Sequence, residues 1–174
     1  MSRELWLLRH GKSDRDDLSI EDFDRPLKKR GKRAAQHIGE GMHQQHLIPD
    51  WIVSSPAKRA ITTANIVLKA LDVEELVVAQ DIRLYQEGVE RLKTVLAECP
   101  LDAKRVLLVG HNPDLEDLLI HLVGAVHLPD TDKLLPTAGL ARLKMPDDWS
   151  QLNAGCAKLL SLTHPKILPE ESND

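Results

Sequence analysis

Short apolar runs alternate with stretches of helical length along this chain, and that alternation leaves few folds open. The order reads strand about 4–9, helix 27–45, strand 50–53, helix 57–71, strand 76–79, helix 88–98, strand 105–109 and helix 113–123, with further strands near 139–145 and 157–163. Strands that alternate with helices pair in parallel, so the expectation is an α/β three-layer sandwich with a mostly parallel central sheet and helices on both faces. The last two strands break the rhythm. Their polar connection through Trp149 and Asn153 is too short for a crossover helix, so one of them is expected to run antiparallel to its neighbour. At 174 residues and 42% hydrophobic, the chain has apolar material for one such domain, taken as 1–169, with Glu170 to Asp174 read as a frayed acidic tail.

Three strand ends carry chemistry. Leu5-Trp6-Leu7-Leu8 delivers Arg9 and His10 into a turn at Gly11, and an imidazole beside a fixed cation is what attack on a phosphate dianion requires. The tripeptide alone is weak evidence, because a histidine at a strand end is more often a hydrogen-bonded structural residue. Asp50-Trp51-Ile52-Val53 runs into Ser54-Ser55-Pro56-Ala57-Lys58-Arg59, where Ser55 can cap a helix, Pro56 fits its first turn and Arg59 lies in that turn. The strand from Arg105 to Val109 ends in Gly110-His111-Asn112-Pro113, which puts His111 at the crossover into the next helix. Open α/β sheets gather ligands at the C-terminal ends of strands, and helix N-termini attract anions. Taken singly each segment has an ordinary explanation; taken together they need three coincidences.

The segments Leu8-Arg9-His10-Gly11-Lys12-Ser13, Asp24-Arg25-Pro26-Leu27 with Arg30-Gly31, Ser54-Ser55-Pro56-Ala57-Lys58-Arg59-Ala60, Gly110-His111-Asn112-Pro113 and Leu135-Pro136-Thr137-Ala138-Gly139 cover nearly the whole chain in order and spacing. In that combination the chain resembles the histidine phosphatase superfamily, and most of all its short bacterial phosphohistidine phosphatase branch typified by SixA. The resemblance implies a phosphoglycerate mutase-like sheet and a two-step reaction without metal or cofactor. His10 would be the nucleophile and form a phosphohistidine enzyme that water hydrolyses, while Arg9, Arg59 and His111 surround the phosphoryl oxygens and Ser13 is a further substrate-binding candidate. Two imidazoles of similar reference pKa would then have to be separated, His10 unprotonated and His111 a cation or donor.

The general acid is the thin part of that resemblance. Glu87 in Leu84-Tyr85-Gln86-Glu87-Gly88 is the candidate acid, while Asp114 and Glu116 are explained as well by compensation of the helix dipole. The short branch often lacks an obvious acid, which suits a leaving imidazole better than an alkoxide. The implied substrate is phosphohistidine in a protein, such as a phosphotransfer domain or a phosphotransferase-system carrier. A small-molecule phosphomonoesterase or phosphoglycerate mutase-like enzyme is the alternative, and a non-catalytic phosphate-binding protein is a third.

Composition excludes several other classes. No run approaches 18 apolar residues and no signal segment opens the chain, so the expectation is a cytoplasmic protein without a membrane partner. Cys99 and Cys156 lack metal-ligand spacing. The basic cluster of Arg25, Lys28, Lys29, Arg30, Lys32 and Arg33 could be read as a nucleic-acid patch, but a net charge of -4 and 3% aromatic residues argue for a solvated helix face. The acidic loop of Asp14, Asp16, Asp17, Glu21, Asp22 and Asp24 lacks the spacing of a calcium loop, and pairing with the basic cluster is its expected role.

Overall fold

The structure, a computed structural model, describes residues 2–165; the acidic stretch at 170–174 and the end of the expected domain lie outside the described residues. Six strands form one sheet: β1 (Arg3–Arg9), β2 (Trp51–Ser54), β3 (Val78–Gln80), β4 (Arg105–Gly110), β5 (Leu140–Met145) and β6 (Lys158–Thr163), in the order β3-β2-β4-β1-β5-β6. The pairs β1–β4, β2–β4 and β2–β3 are parallel, whereas β5 runs antiparallel to both β1 and β6. Thus β5 alone opposes the common direction. Four helices, α1 (Lys29–Gln44), α2 (Lys58–Leu71), α3 (Val89–Ala97) and α4 (Asp114–Val123), cover the two faces.

The centre of the sheet is apolar on both sides. Leu5, Trp6, Leu7 and Leu8 are all fully buried, because successive side chains of a strand point to opposite faces and here each face has a helical layer to meet. Leu5 and Leu7 join Val106 and Leu108 in a core with Leu92 and Leu96 of α3 and Leu115 and Leu119 of α4. Trp6 and Leu8 join Leu107 and Val109 in a second core with Ala35 and Ile38 of α1 and Ala64 and Val67 of α2. Each fully buried leucine contributes roughly 1.5–3 kcal/mol relative to exposure. Among the described residues no helix is long and apolar enough to cross a membrane.

Local chemistry shifts a few boundaries. The first helix starts at Lys29 rather than 27, because Leu27 is held extended in a bridge to Ser13. The third strand starts at Val78 rather than 76, because Leu76 N–H closes a turn onto Val73. Ser55 is not the cap of α2: that boundary residue is Ala57, whose N–H donates to Ser55 Oγ at 3.2 Å.

The connections place the functional end of the sheet. From β1 the chain leaves to α1 on one face, and from the adjacent β4 it leaves to α4 on the opposite face. The two loops part at this point, the topological position at which open α/β sheets take up ligands, beyond the C-terminal ends of neighbouring parallel strands. Arg9, His10 and His111 end those two strands, and Arg59 opens the helix after β2, the next strand along.

Candidate active site

The loop after β1 is held by a close backbone approach. A Cβ on Gly11 would stand 2.6 Å from Gly31 O, and one on Gly31 would stand 2.3 Å from Lys12 O, so this junction between the His10 loop and α1 admits only glycine on each side. Gly11 N–H also donates to Thr63 Oγ1 at 3.1 Å, and Thr63 in turn donates to Arg59 O at 2.7 Å. The nucleophile candidate and the arginine candidate are thereby built on one rigid frame.

His10 is buried, with Nδ1 donating to Gly11 O at 2.7 Å and Nε2 accepting from Arg59 Nε at 3.3 Å. That pattern puts the proton on Nδ1 and the lone pair on Nε2, the tautomer that can attack phosphorus once the contact with Arg59 Nε gives way. The imidazoles of His10 and His111 stand 5.2 Å apart. His111 Nε2 lies 2.8 Å from Ser55 Oγ, while its Nδ1 is buried with no partner. Arg9 donates to Leu135 O at 3.3 Å, its buried Nε has no partner, and its charge acts on both imidazoles.

Burial lowers the pKa of His10 to about 3, with the Gly11 hydrogen bond opposing the shift and the charges of His111, Arg59 and Arg9 adding to it. Burial and Arg59 lower that of His111 to about 4. At these values both rings are neutral at pH 7, and the protein's own groups do not provide the separation expected of them. An arriving phosphoryl dianion is the charge that would favour a protonated His111, with Nε2–H on Ser55 and Nδ1–H free to donate.

These shifts have a stability consequence. Unfolded, both histidines titrate near 6.5, so between that value and the folded pKa values the unfolded chain binds more protons. Their contribution is fully retained above about pH 6.5 and is lost as pH falls toward 4. Thermal unfolding from pH 7.5 to 5 should show Tm falling below pH 6.5, with a shallower fall in a His10→Asn/His111→Asn variant. Identical slopes for both proteins would mean that the two rings are not held neutral by the fold.

The acidic loop supplies a group that the sequence did not single out. Asp22 lies over the cluster: its backbone oxygen accepts from Arg59 Nη1 at 2.6 Å and its Oδ2 from Arg59 Nη2 at 2.9 Å. The same carboxylate accepts from Tyr85 Oη at 2.6 Å, from Gln86 Nε2 at 3.2 Å and from Arg25. Partial burial pushes its pKa up, but the hydrogen bonds from Tyr85, Arg59 and Arg25 outweigh this and hold the carboxyl well below the usual range. Pairing of the acidic loop with Arg25 was expected; pairing with Arg59 was not. Tyr85 and Phe23, the chain's single tyrosine and single phenylalanine, pack edge-on at 5.1 Å, and Tyr85 meets His111 at 5.5 Å. Their rarity was the available signal for an aromatic wall here.

The other candidates are placed elsewhere. Ser13 accepts from Arg25 Nη1 at 2.8 Å and makes no bond to His10 or His111. Glu87 is a half-exposed partner of Arg91 at 3.6 Å, not joined to the cluster. Asp114 accepts Gly88 N–H at 3.1 Å, and Glu116 accepts from Asn112 and Leu135 N–H, so both tie loops. Among the described residues no three metal-binding side chains gather, and both cysteines are free.

Comparison with known proteins adds a family to this geometry. The model of the histidine phosphatase superfamily (branch 1) matches residues 5–84. A solved structure from Agrobacterium tumefaciens, provisionally named phosphohistidine phosphatase SixA, is 27% identical with a TM-score of 0.79, covering 95% of this chain and 99% of that one. An uncharacterised chloroplastic protein of Arabidopsis thaliana is 30% identical over 133 residues, 72% of this chain and 61% of its own length. A 2,3-bisphosphoglycerate-dependent phosphoglycerate mutase of Bifidobacterium longum is 37% identical over 88 residues, 49% of this chain and 36% of the mutase. The chain thus spans less than two thirds of these two curated relatives. Likeness that runs the length of the SixA-type structure, on a mostly parallel phosphoglycerate mutase-like sheet, makes this chain a member of the histidine phosphatase superfamily, in its SixA-like branch.

Proposed function

We propose that this protein hydrolyses phosphohistidine carried by another protein, through a phosphohistidine intermediate on His10. One observation carries the reading. Among the described residues the only carboxylate hydrogen-bonded to Arg9, His10, Arg59 or His111 is Asp22, and Asp22 is kept ionised. A carboxylate held below its usual range is a poor proton donor, so the site suits a leaving group that needs none. Phosphohistidine protonated on its second ring nitrogen leaves as neutral imidazole, whereas an alkyl phosphate must expel an alkoxide.

The proton inventory closes without an acid. His10 Nε2 attacks phosphorus as the substrate's N–P bond breaks, and Nδ1–H, resting on Gly11 O, lets the enzyme carry the phosphoryl group as a phospho-imidazolium. Water then attacks phosphorus, the His10 N–P bond breaks, neutral His10 is restored, and both water protons leave with dihydrogen phosphate. Arg9, Arg59 and protonated His111 offset charge on the equatorial oxygens throughout. The aromatic wall of Tyr85 and Phe23 gives a planar leaving group a surface to pack on. A phosphotransfer domain or a phosphotransferase-system carrier fits this chemistry as the partner.

A substrate panel tests the reading. Phosphohistidine protein and p-nitrophenyl phosphate should turn over much faster than glycerol phosphate or sugar phosphates, EDTA should leave the rates unchanged, and Glu87→Gln should lose less than about threefold on phosphohistidine. Efficient hydrolysis of a phosphosugar with none of any phosphohistidine protein would overturn the assignment.

A further inference from the structure

Next to the loop that carries His10 lies a cavity of about 390 Å³ with Lys12 and Arg30 on its walls, together with Ala34, Pro136, Thr137 and, at its far side in the chain, His164 and Pro165. None of the residues that line it is acidic, and among the described residues neither cation has an ion-pair partner. Nearby carboxylates are already committed: Asp22 to Arg59 and Arg25, Glu116 to Asn112 and Leu135 N–H. Burial, then Arg30, Arg15, Lys28 and Arg9, lower the pKa of Lys12, the mark of positive charge gathered without compensation.

Both walls are tied to the nucleophile's loop. Lys12 follows His10 by two residues, a span of at most about 7 Å along the chain, and its carbonyl accepts Lys28 N–H at 2.9 Å just before α1. On the other wall, Ala138 N–H donates to Arg9 O at 3.1 Å and His10 O at 3.0 Å, which holds the Pro136–Ala138 turn against the end of β1. The cavity therefore keeps a fixed position relative to the loop that carries His10.

We propose that the Lys12–Arg30 cavity is a second anion subsite, which takes a carboxylate side chain of the phosphoprotein next to its phosphohistidine. The subsite rests on the phosphatase reading only for the identity of that partner; anion binding there is independent of turnover. Two unpaired cations in a partly enclosed space recognise a carboxylate through charge-assisted hydrogen bonds, and one such bond corresponds to roughly a tenfold gain in affinity.

Calorimetry with small phosphonates reads the subsite without any catalytic step. An alkylphosphonate bearing a terminal carboxylate, such as 3-phosphonopropionate or 4-phosphonobutyrate, should bind at least about fivefold tighter than the plain alkylphosphonate of the same length. Lys12→Gln/Arg30→Gln should abolish the difference and Lys12→Arg should keep it. Lys29→Gln/Lys32→Gln, which removes equal charge from exposed positions on the same helix, should also keep it. No preference in the unmodified protein, or the same loss in both double variants, would overturn the subsite, the second result by reducing it to general attraction. The source of the carboxylate is read from phosphohistidine peptides with Asp or Asn beside the phosphorylated residue. A higher kcat/KM for Asp that vanishes in Lys12→Gln/Arg30→Gln supports a protein partner. Preference for sugar bisphosphates over monophosphates, with no Asp effect, would overturn it in favour of a second phosphate. If no phosphohistidine peptide is cleaved, the phosphatase reading fails while the phosphonate result still decides the subsite.

Discussion

Replacing His10 with alanine should reduce turnover by roughly 10⁴-fold or more, while the folded structure persists. The side chain ends β1 rather than filling either core, and its partners are Gly11 O and Arg59 Nε, so the substitution should alter stability by no more than about 1–2 kcal/mol. With ³²P-labelled substrate and rapid quenching under alkaline conditions that preserve phosphohistidine, the unmodified protein should carry label on His10 and the alanine variant should carry none. Label on another residue, or near-normal rates in a folded His10→Ala protein, would show that the nucleophile is a different group.

Arg59→Ala should lower kcat/KM by roughly 10²–10³, the usual cost of removing one positioned donor from a site where charge is stabilised. A second loss is specific to this protein. Without the guanidinium, the Asp22 carboxylate keeps Tyr85 and Arg25 as partners but loses the buried cation that pairs with it beside His10. Asp22→Asn introduced into Arg59→Ala should therefore recover activity several-fold, whereas the same change in the unmodified protein should not raise kcat/KM to that degree. A double-mutant cycle with coupling above about 1 kcal/mol is the expected result. Strict additivity would mean that Asp22 does not act through Arg59.

Much of the fold was legible because the signals were local. Leu5 to Leu8 and Val106 to Val109 are unbroken apolar runs, and such runs survive only in strands covered on both faces; the short polar link through Trp149 marked the antiparallel strand. Boundaries moved where a distant partner decided them, as when Ser13 drew Leu27 into a bridge and delayed α1. In the site, Arg9, His10, Arg59 and His111 stood out because each sits at a strand end or in the first turn of a helix. Ser55 read as a helix cap from the sequence, but Ala57 holds that position, and the contact of Ser55 with His111 Nε2 depends on β2 and β4 lying side by side. Glu87 was singled out by position in the chain, yet its side chain pairs with Arg91 one turn along the helix.

What the sequence by itself determined is the list of elements and the chemical groups that end them, since apolar periodicity, glycine turns and cap residues act over a few neighbouring residues. What only the tertiary structure decided is which charge meets which. Asp22 is one carboxylate among six in an acidic loop, and nothing within that loop marks it; it reaches Arg59 across 37 positions and Tyr85 across 63. The pKa values of His10 and His111 are tertiary in the same sense, because desolvation and the field of Arg59 exist only after β1, β2 and β4 have aligned and the helices have excluded water. Pairings between residues far apart in the chain follow from strand order, and strand order is a property of the packed sheet as a whole.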